Sequence, residues 1–290
     1  MPRGLDHIVH AVRDLDAAAE LYRRLGFTVG ARNRHPPTWG TQNQIVQLPG
    51  VFVELLTVAD ATGIAPHAER SFSFGAYNRD FLERGEGLSM LALEGRGAAD
   101  AAAFRAAGIG DFTVYDFERE AKRPDGAPTK VAFSLAFACS GQASDIGFFT
   151  SQHHTPENFW NPAFQTHGNT AKAIAAVIMV AENPAEHQAF LSAFVGEDAV
   201  PATSTAIALP TPRGVVEVMT PAAFHTHFAV APPDLARGPR LAALRFAVHD
   251  FAAAISALKA GGIDAQVRMG RIIVGPAIGL GATLVFAPAG

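Results

Sequence analysis

Cysteine is almost missing from this sequence, with Cys139 alone among 290 residues. One thiol cannot close an intrachain disulfide, and it excludes zinc sites built from two or more thiolates. Any metal must therefore be held by histidine and carboxylate. Runs of lysine or arginine are also missing, and the net charge is −4. The electrostatic footprint of a nucleic-acid binder is absent, so nucleic acid is not an expected partner. Although 49% of the residues are hydrophobic, no apolar run approaches the roughly 18 residues that cross a bilayer, and no membrane partner is expected. The opening Met-Pro-Arg-Gly leads directly into patterned sequence, without the basic and then apolar stretch of a secretory leader. That pattern predicts a cytoplasmic protein.

What is present is a fourfold repeat. Leu5 to Val12 reads as a strand, Asp14 to Leu25 as an Ala/Leu-rich helix, and Gly26 as its stop. The same succession returns at Leu88–Leu93, Ala98–Ala107 and Gly108. It returns again at Ile174–Val180, Pro184–Phe194 and Gly196, and at Leu241–Val248, Phe251–Ala260 and Gly262. Each glycine suits the left-handed position that ends many helices. In the first module Phe27 starts a further strand, and Gln44–Leu48 and Val51–Thr57, joined by Pro49-Gly50, read as a hairpin. Lys130–Ala138 with Asp145–Thr150, Thr203–Leu209 with Gly214–Met219, and Ala265–Val274 with Gly281–Phe286 fill the same slots. The sum is an α+β chain of four βαβββ modules. A sheet with helices on one face needs a partner or ligand for the other, so the modules are expected in pairs, residues 1–165 and 170–290, divided in the irregular stretch His154–Asn169.

The run Leu5-Asp6-His7-Ile8-Val9-His10-Ala11-Val12-Arg13-Asp14-Leu15-Asp16 resembles the first strand and helix start of glyoxalase and vicinal-oxygen-chelate (VOC) proteins. Arg34-His35-Pro36, Gly40-Thr41-Gln42-Asn43 and Phe52-Val53-Glu54-Leu55-Leu56 resemble the glyoxalase-like subfamily in order and spacing. The resemblance implies that paired modules cup a cavity. It also implies that a divalent metal is held by a His on each first strand and a Glu or similar group on each last strand, where it chelates vicinal oxygens of a substrate. His7 and Glu54 fall at those ligand positions, and both become candidate catalytic residues.

Strand alternation puts Leu5, His7, Val9 and Ala11 on one face and Asp6, Ile8, His10 and Val12 on the other. His10 is therefore expected to pack under the helix. Glu54 also stands out on physical grounds, because an ionised carboxylate among Phe52, Val53, Leu55 and Leu56 is costly to bury without a compensating partner. In the second module the pattern fails, with Met90 or Leu91 opposite His7 and Thr150 near Glu54. His153 is the candidate third metal ligand, with His154 beside it. His35, Gln42 and Asn43 are candidate substrate contacts, together with Trp39 and Phe52; Phe148, Phe149 and Trp160 are further rings available to the pocket.

In the C-terminal half Glu217 takes the slot of Glu54, but Ala175 and Ala243 stand in the slots of His7. That half is read as degenerate and structural. His225 and His227 would point the same way on a strand and mean nothing on a loop, and Cys139 is expected in the core.

The leading expectation is a divalent-metal-dependent enzyme of lyase/isomerase or dioxygenase type. It would act on a small oxygen-bearing substrate in the N-terminal cavity, with Fe, Mn, Zn, Co or Ni as its cofactor. Ala175 and Ala243 argue against the extradiol version with its ligands in the C-terminal half. The alternative is a metal-free protein that binds or sequesters a hydrophobic small molecule. Modules pair either within the chain or across a homodimer.

Overall fold

In the computed structural model, which describes residues 2–122, 126–197, 203 and 205–290, the repeat becomes two sheets. Module one runs β1 (Leu5–Ala11), α1 (Leu15–Arg24), β2 (Asn33–Arg34), β3 (Thr41–Leu48) and β4 (Val51–Val58). Asp14 starts α1 by accepting from the backbone N–H groups of Asp16 and Ala17, and Gly26 ends it at φ +86°. A second helix, α2 (Phe74–Arg84), intervenes before module two: β5 (Gly87–Glu94), α3 (Ala98–Ala106), β6 (Tyr115–Lys122), β7 (Pro128–Ala138) and β8 (Gly147–His153).

A single-turn helix, α4 (Pro156–Phe159), leads to module three: β9 (Ala171–Val180), α5 (Gln188–Val195), β10 (Ala206–Pro210) and β11 (Val215–Met219). Then α6 (Pro221–Phe228) precedes module four: β12 (Arg240–Val248), α7 (Phe251–Ala260), β13 (Gln266–Arg268), β14 (Arg271–Val274) and β15 (Thr283–Pro288).

The first sheet has the order β2-β3-β4-β1-β5-β8-β7-β6 and the second β10-β11-β9-β12-β15-β14-β13. Within each module the first and last strands pair in parallel, and the two modules join through antiparallel first strands, β1 with β5 and β9 with β12. The α+β fold of paired modules expected from the sequence is the one observed. Three details differ. No strand begins at Phe27, whose ring packs against Phe246 and Phe286. Module three has two strands after its helix among the described residues, part of the stretch expected at Thr203–Leu209 lying outside them. The helices α2 and α6, unforeseen in sequence, lie between modules in each half.

The helix-bearing faces of the two sheets meet. One continuous apolar cluster runs from Leu5, Ile8 and Tyr22 to Phe194, Phe246 and Phe286. Phe104 of α3 meets Phe194 of α5 at 5.8 Å between ring centroids, and Arg24 at the end of α1 donates to the carbonyl of Gly261 beyond α7. The buried Arg3 fixes the junction by donating to Asp100 Oδ1 from Nε and Nη2 and to the carbonyl of Phe194 from Nη1. Asp145, 1% exposed, meets Arg84, Arg237 and Arg240.

The opposite faces have different fates. In the second sheet α6 lays Phe224 and Phe228 onto a face of small and aliphatic side chains, Ala176, Ile178, Val180 and Ala243. In the first sheet α2 covers part of the face with Phe74, stacked on Trp39 at 4.5 Å, and the rest stays hollow. Cys139, expected in the core, lies just past β7 and is exposed, because the strand ends at Ala138. His225 and His227 sit on α6, not on a strand, and both are exposed.

Candidate functional site

The hollow face of the first sheet encloses a cavity of about 50 Å3 lined by His7, His35, Trp39, Asn43, Phe52, Glu54, Phe74, Phe117, Arg119, Phe133, Phe149 and Phe159, among others. It shares Ile45, Arg119 and Phe159 with an outer cleft of about 800 Å3 walled by β7 residues and by the segment Asn158–Phe164.

Register positions the central pair. Val9 pairs with Glu54 and His7 with Phe52 across β1 and β4, so His7 and Glu54 rise from neighbouring strands into one cavity. Glu54 is 4% exposed. Asn43, on the adjacent strand β3, donates Nδ2–H to Glu54 Oε1 at 2.5 Å, and His35 Nε2 stands 3.5 Å from the same oxygen. The other carboxylate oxygen faces His7 Nε2 at 3.7 Å. Asn43 also donates to His35 Nε2 at 3.1 Å, and His35 Nδ1 donates to Thr41 Oγ1 at 2.8 Å, an arrangement that suits a neutral ring. Burial pushes the His35 pKa down, against the opposing pull of the Glu54 charge.

β1 departs from simple alternation. Its register on β5 jumps between Leu5 and His7, the mark of a bulge. Leu5, expected beside His7, joins Ile8 in the core between the sheets. Asp6, expected under the helix, instead meets His7 Nδ1 at 2.5 Å and His153 Nε2 at 3.0 Å. Burial alone would raise the Asp6 pKa, but His153 and His7 together hold it well below the usual carboxylate range. The result is an ordered line, His153, Asp6, His7, Glu54, with Asp6 orienting the His7 ring and Phe52 stacked on that ring at 4.3 Å and 13°. His10 does face the helix as expected, in contact with the Tyr22 hydroxyl and the carbonyl of Leu280, both at 2.9 Å.

Of the residues singled out in sequence, His7, Glu54, His35, Asn43, Trp39 and Phe52 are brought together. Gln42 is not: it alternates away from Asn43 along β3 and accepts from Arg32 at 3.3 Å. His153 lies beyond Asp6, away from Glu54, and lines a separate crevice of about 330 Å3 with Asp6, Glu94 and Arg213. His154 contacts Ser134 Oγ at 2.7 Å. Phe149, not Thr150, occupies the module-two counterpart of Glu54, because Ala92 pairs with Phe149 as Val9 does with Glu54. Phe148 turns the other way, onto Phe190 and Phe194. Glu217 is tied to Arg245, and the counterpart of His7 on β9 is Ala176, one residue on from Ala175.

Arg119, Asp6 and Ser151 are polar residues at the site that sequence reasoning passed over. The signal for Arg119 was available: Tyr115, Phe117 and Arg119 alternate with Asp116, Glu118 and Glu120 along β6, an apolar-to-cationic face opposite an acidic one.

As they stand, the donors do not fit a metal centre. Among the described residues no group of three His, Cys, Asp or Glu is placed to hold a metal ion. His7 and Glu54 supply two donors, the nearby His35 Nε2 is taken by Asn43, which also occupies Glu54 Oε1, and the matching positions of module two carry Met90 and Phe149. A catalytic metal typically needs about three protein ligands.

Residues 5–195 match a family model described as a glyoxalase-like domain. No curated protein matches the sequence. Among solved structures, a hypothetical protein from Staphylococcus aureus has a TM-score of 0.69 at 13% identity, covering 99% of this chain and 100% of its own. A variant of 4-hydroxymandelate synthase from Streptomyces coelicolor has 0.59 at 12% identity, covering 100% of this chain and 94% of its own. A xylose isomerase-like TIM barrel/4-hydroxyphenylpyruvate dioxygenase fusion protein has 0.53 at 13% identity, and this chain spans 50% of its length. At such identities the likeness is one of fold.

Proposed function

Because this chain belongs to the glyoxalase-like domain family, we propose that its N-terminal cavity binds a small oxygen-bearing molecule and that Glu54, with His7, moves a proton on it. The reaction class is that of a lyase or isomerase acting next to a carbonyl. The observation that carries this reading is a carboxylate 4% exposed, among aromatic rings, with an imidazole at each oxygen and the cavity in front of it.

Each residue then has a task. Glu54 is the base. His7 Nε2, 3.7 Å away, takes up or returns the proton, and Asp6 on Nδ1 orients that ring. Asn43 fixes the Glu54 carboxylate from the side, His35 supports Asn43, and Trp39 and Phe52 pack the bound molecule while excluding water. The metal-dependent and dioxygenase versions call for a third donor, which Met90 and Phe149 do not supply and which His35, its Nε2 engaged by Asn43, does not offer as it stands.

The test is solvent exchange. Hydroxyacetone, dihydroxyacetone and glycolaldehyde are incubated in D2O with protein purified without added metal, and loss of the carbon-bound proton signal is followed by NMR. The reading expects exchange by wild type that falls by roughly 10²–10⁴-fold in Glu54→Gln. Metal content, measured on the same samples, shows whether exchange tracks a bound ion.

A second reading, a metal-free protein that sequesters a hydrophobic molecule, is favoured by the ring-rich lining, in which Phe117 stacks on Phe133 at 5.1 Å and Phe52 on His7. Saturable ligand binding with no exchange on any carbonyl compound would select it.

A further inference from the structure

We propose that Arg119 is the anchor for an anionic group on the molecule this site takes, so that the ligand is an organic carboxylate or phosphate whose charged end sits between the inner cavity and the outer cleft. The inference rests on the site proposed above and adds the chemical class of its ligand.

Arg119 projects from β6 on the face shared with Tyr115 and Phe117 and lines both spaces. Among the described residues it forms no ion pair, and its one hydrogen bond runs from Nη1 to the carbonyl of Glu120 at 3.3 Å. Most of the guanidinium fork is therefore uncommitted. Among the described residues, nearby carboxylates are engaged elsewhere or form no ion pair with it. Glu54 is held by Asn43, Glu118 by Lys130, and Glu120, which also walls the outer cleft, makes no ion pair with Arg119. Among the described residues the other cation on the cleft, Arg32, is already taken by Asp16.

A half-buried guanidinium beside Phe117, Phe133 and Phe159 has lost much of its hydration, and the charge of Glu54 acts on it only from a distance, without a contact ion pair. Its planar fork matches carboxylate or phosphate oxygens in pairs. Size points the same way. About 50 Å3 admits only a small functional group beside Glu54, whereas the remainder of a ligand must lie in the outer cleft, past Arg119. An anion held there keeps its charge at the mouth and presents its neutral, oxygen-bearing end to Glu54.

Binding of benzoate, phenyl phosphate, benzamide and benzyl alcohol to the full chain, followed by ligand-observed NMR titration, tests this. At least one anion is expected to bind tenfold or more tightly than the neutral compounds. Arg119→Gln should erase that preference by weakening anion binding tenfold or more while changing benzamide binding far less, and Arg119→Lys should retain part of it. A phenyl phosphate preference would assign phosphate, and a benzoate preference carboxylate. Equal binding of anions and neutrals, survival of the preference in Arg119→Gln, or no anion binding at millimolar concentration would each overturn the proposal. Circular dichroism of both variants guards against misreading a folding defect, and Arg119→Lys carries the test if Arg119→Gln does not fold. Exchange on neutral carbonyl compounds without anion preference would remove the anchor and spare the Glu54 chemistry; anion preference without exchange would do the reverse.

Discussion

Glu54 and Asn43 illustrate how little of a side chain's role lies in its identity. An amide next to a glutamine in a polar stretch reads as turn chemistry, but in β3 the two alternate, and only Asn43 reaches the carboxylate. Asn43→Ala should therefore remove a charge-assisted hydrogen bond worth about 1.5–3 kcal/mol and reduce exchange activity at least tenfold, with Gln42→Ala as the silent neighbour; equal effects in a kinetic comparison would contradict this geometry. Histidine burial has a separate consequence. Burial lowers the pKa of His10, His35 and His167 from the ordinary 6.5. The folded chain keeps these rings neutral while the unfolded chain protonates them, so their contribution is intact above about pH 6.5 and is lost as pH falls from there towards the depressed folded values. Asp6 acts in a lower window, since its depressed pKa contributes stability that is lost only below its ordinary 3.8. Urea midpoints should fall between pH 7.5 and 5.5; a flat or rising series would refute the assignment.

At the level of elements, the decisive features are a bulge and an inserted helix. The bulge in β1 gives His7 a carboxylate on its outer nitrogen, which strict alternation would have placed on the opposite face. The helix α2 closes one side of the cavity by approaching Trp39 so closely that a Cβ on Gly75 would lie 2.1 Å from the Trp39 carbonyl oxygen. Alanine is the better helix former by up to about 1 kcal/mol, but here the clash outweighs it. Gly75→Ala should destabilise by about 1–3 kcal/mol and, by shifting Phe74 on Trp39, change the tryptophan fluorescence. An unchanged spectrum and a stabilised fold would show that α2 can move freely.

For the whole molecule, the shared core between the sheets makes cooperative unfolding the expectation. Arg3, 6% exposed, is the buried counter-charge of the fully buried Asp100, which the exposed Arg96 also approaches at 3.5 Å, and it reaches α5 in the other half. Arg3→Met leaves that carboxylate without its buried partner and should cost about 3–5 kcal/mol. Asp145→Asn should cost less, because the three arginines around it are 24–59% exposed and can turn to water. Urea unfolding of wild type followed by fluorescence and circular dichroism should give one coincident transition. Two separated transitions would mean that the halves fold independently in spite of the cluster joining them.

The sequence by itself determined the repeat, the α+β class and the pairing of modules, since these rest on short-range pattern: strand periodicity, helix starts such as Asp14, and helix-ending glycines at 26, 108, 196 and 262, all of which adopt positive φ. It also singled out His7 and Glu54, through family resemblance and through the cost of burying a carboxylate. Tertiary structure decided which groups meet them. The register of β1 on β5 turned Asp6 toward His7, the pleat of β3 chose Asn43 over Gln42, and β6, distant in sequence, brought Arg119 to the cavity mouth. Local preferences are encoded within a few residues of one another, whereas a site depends on strand registers and side-chain directions that settle only when the sheets pack.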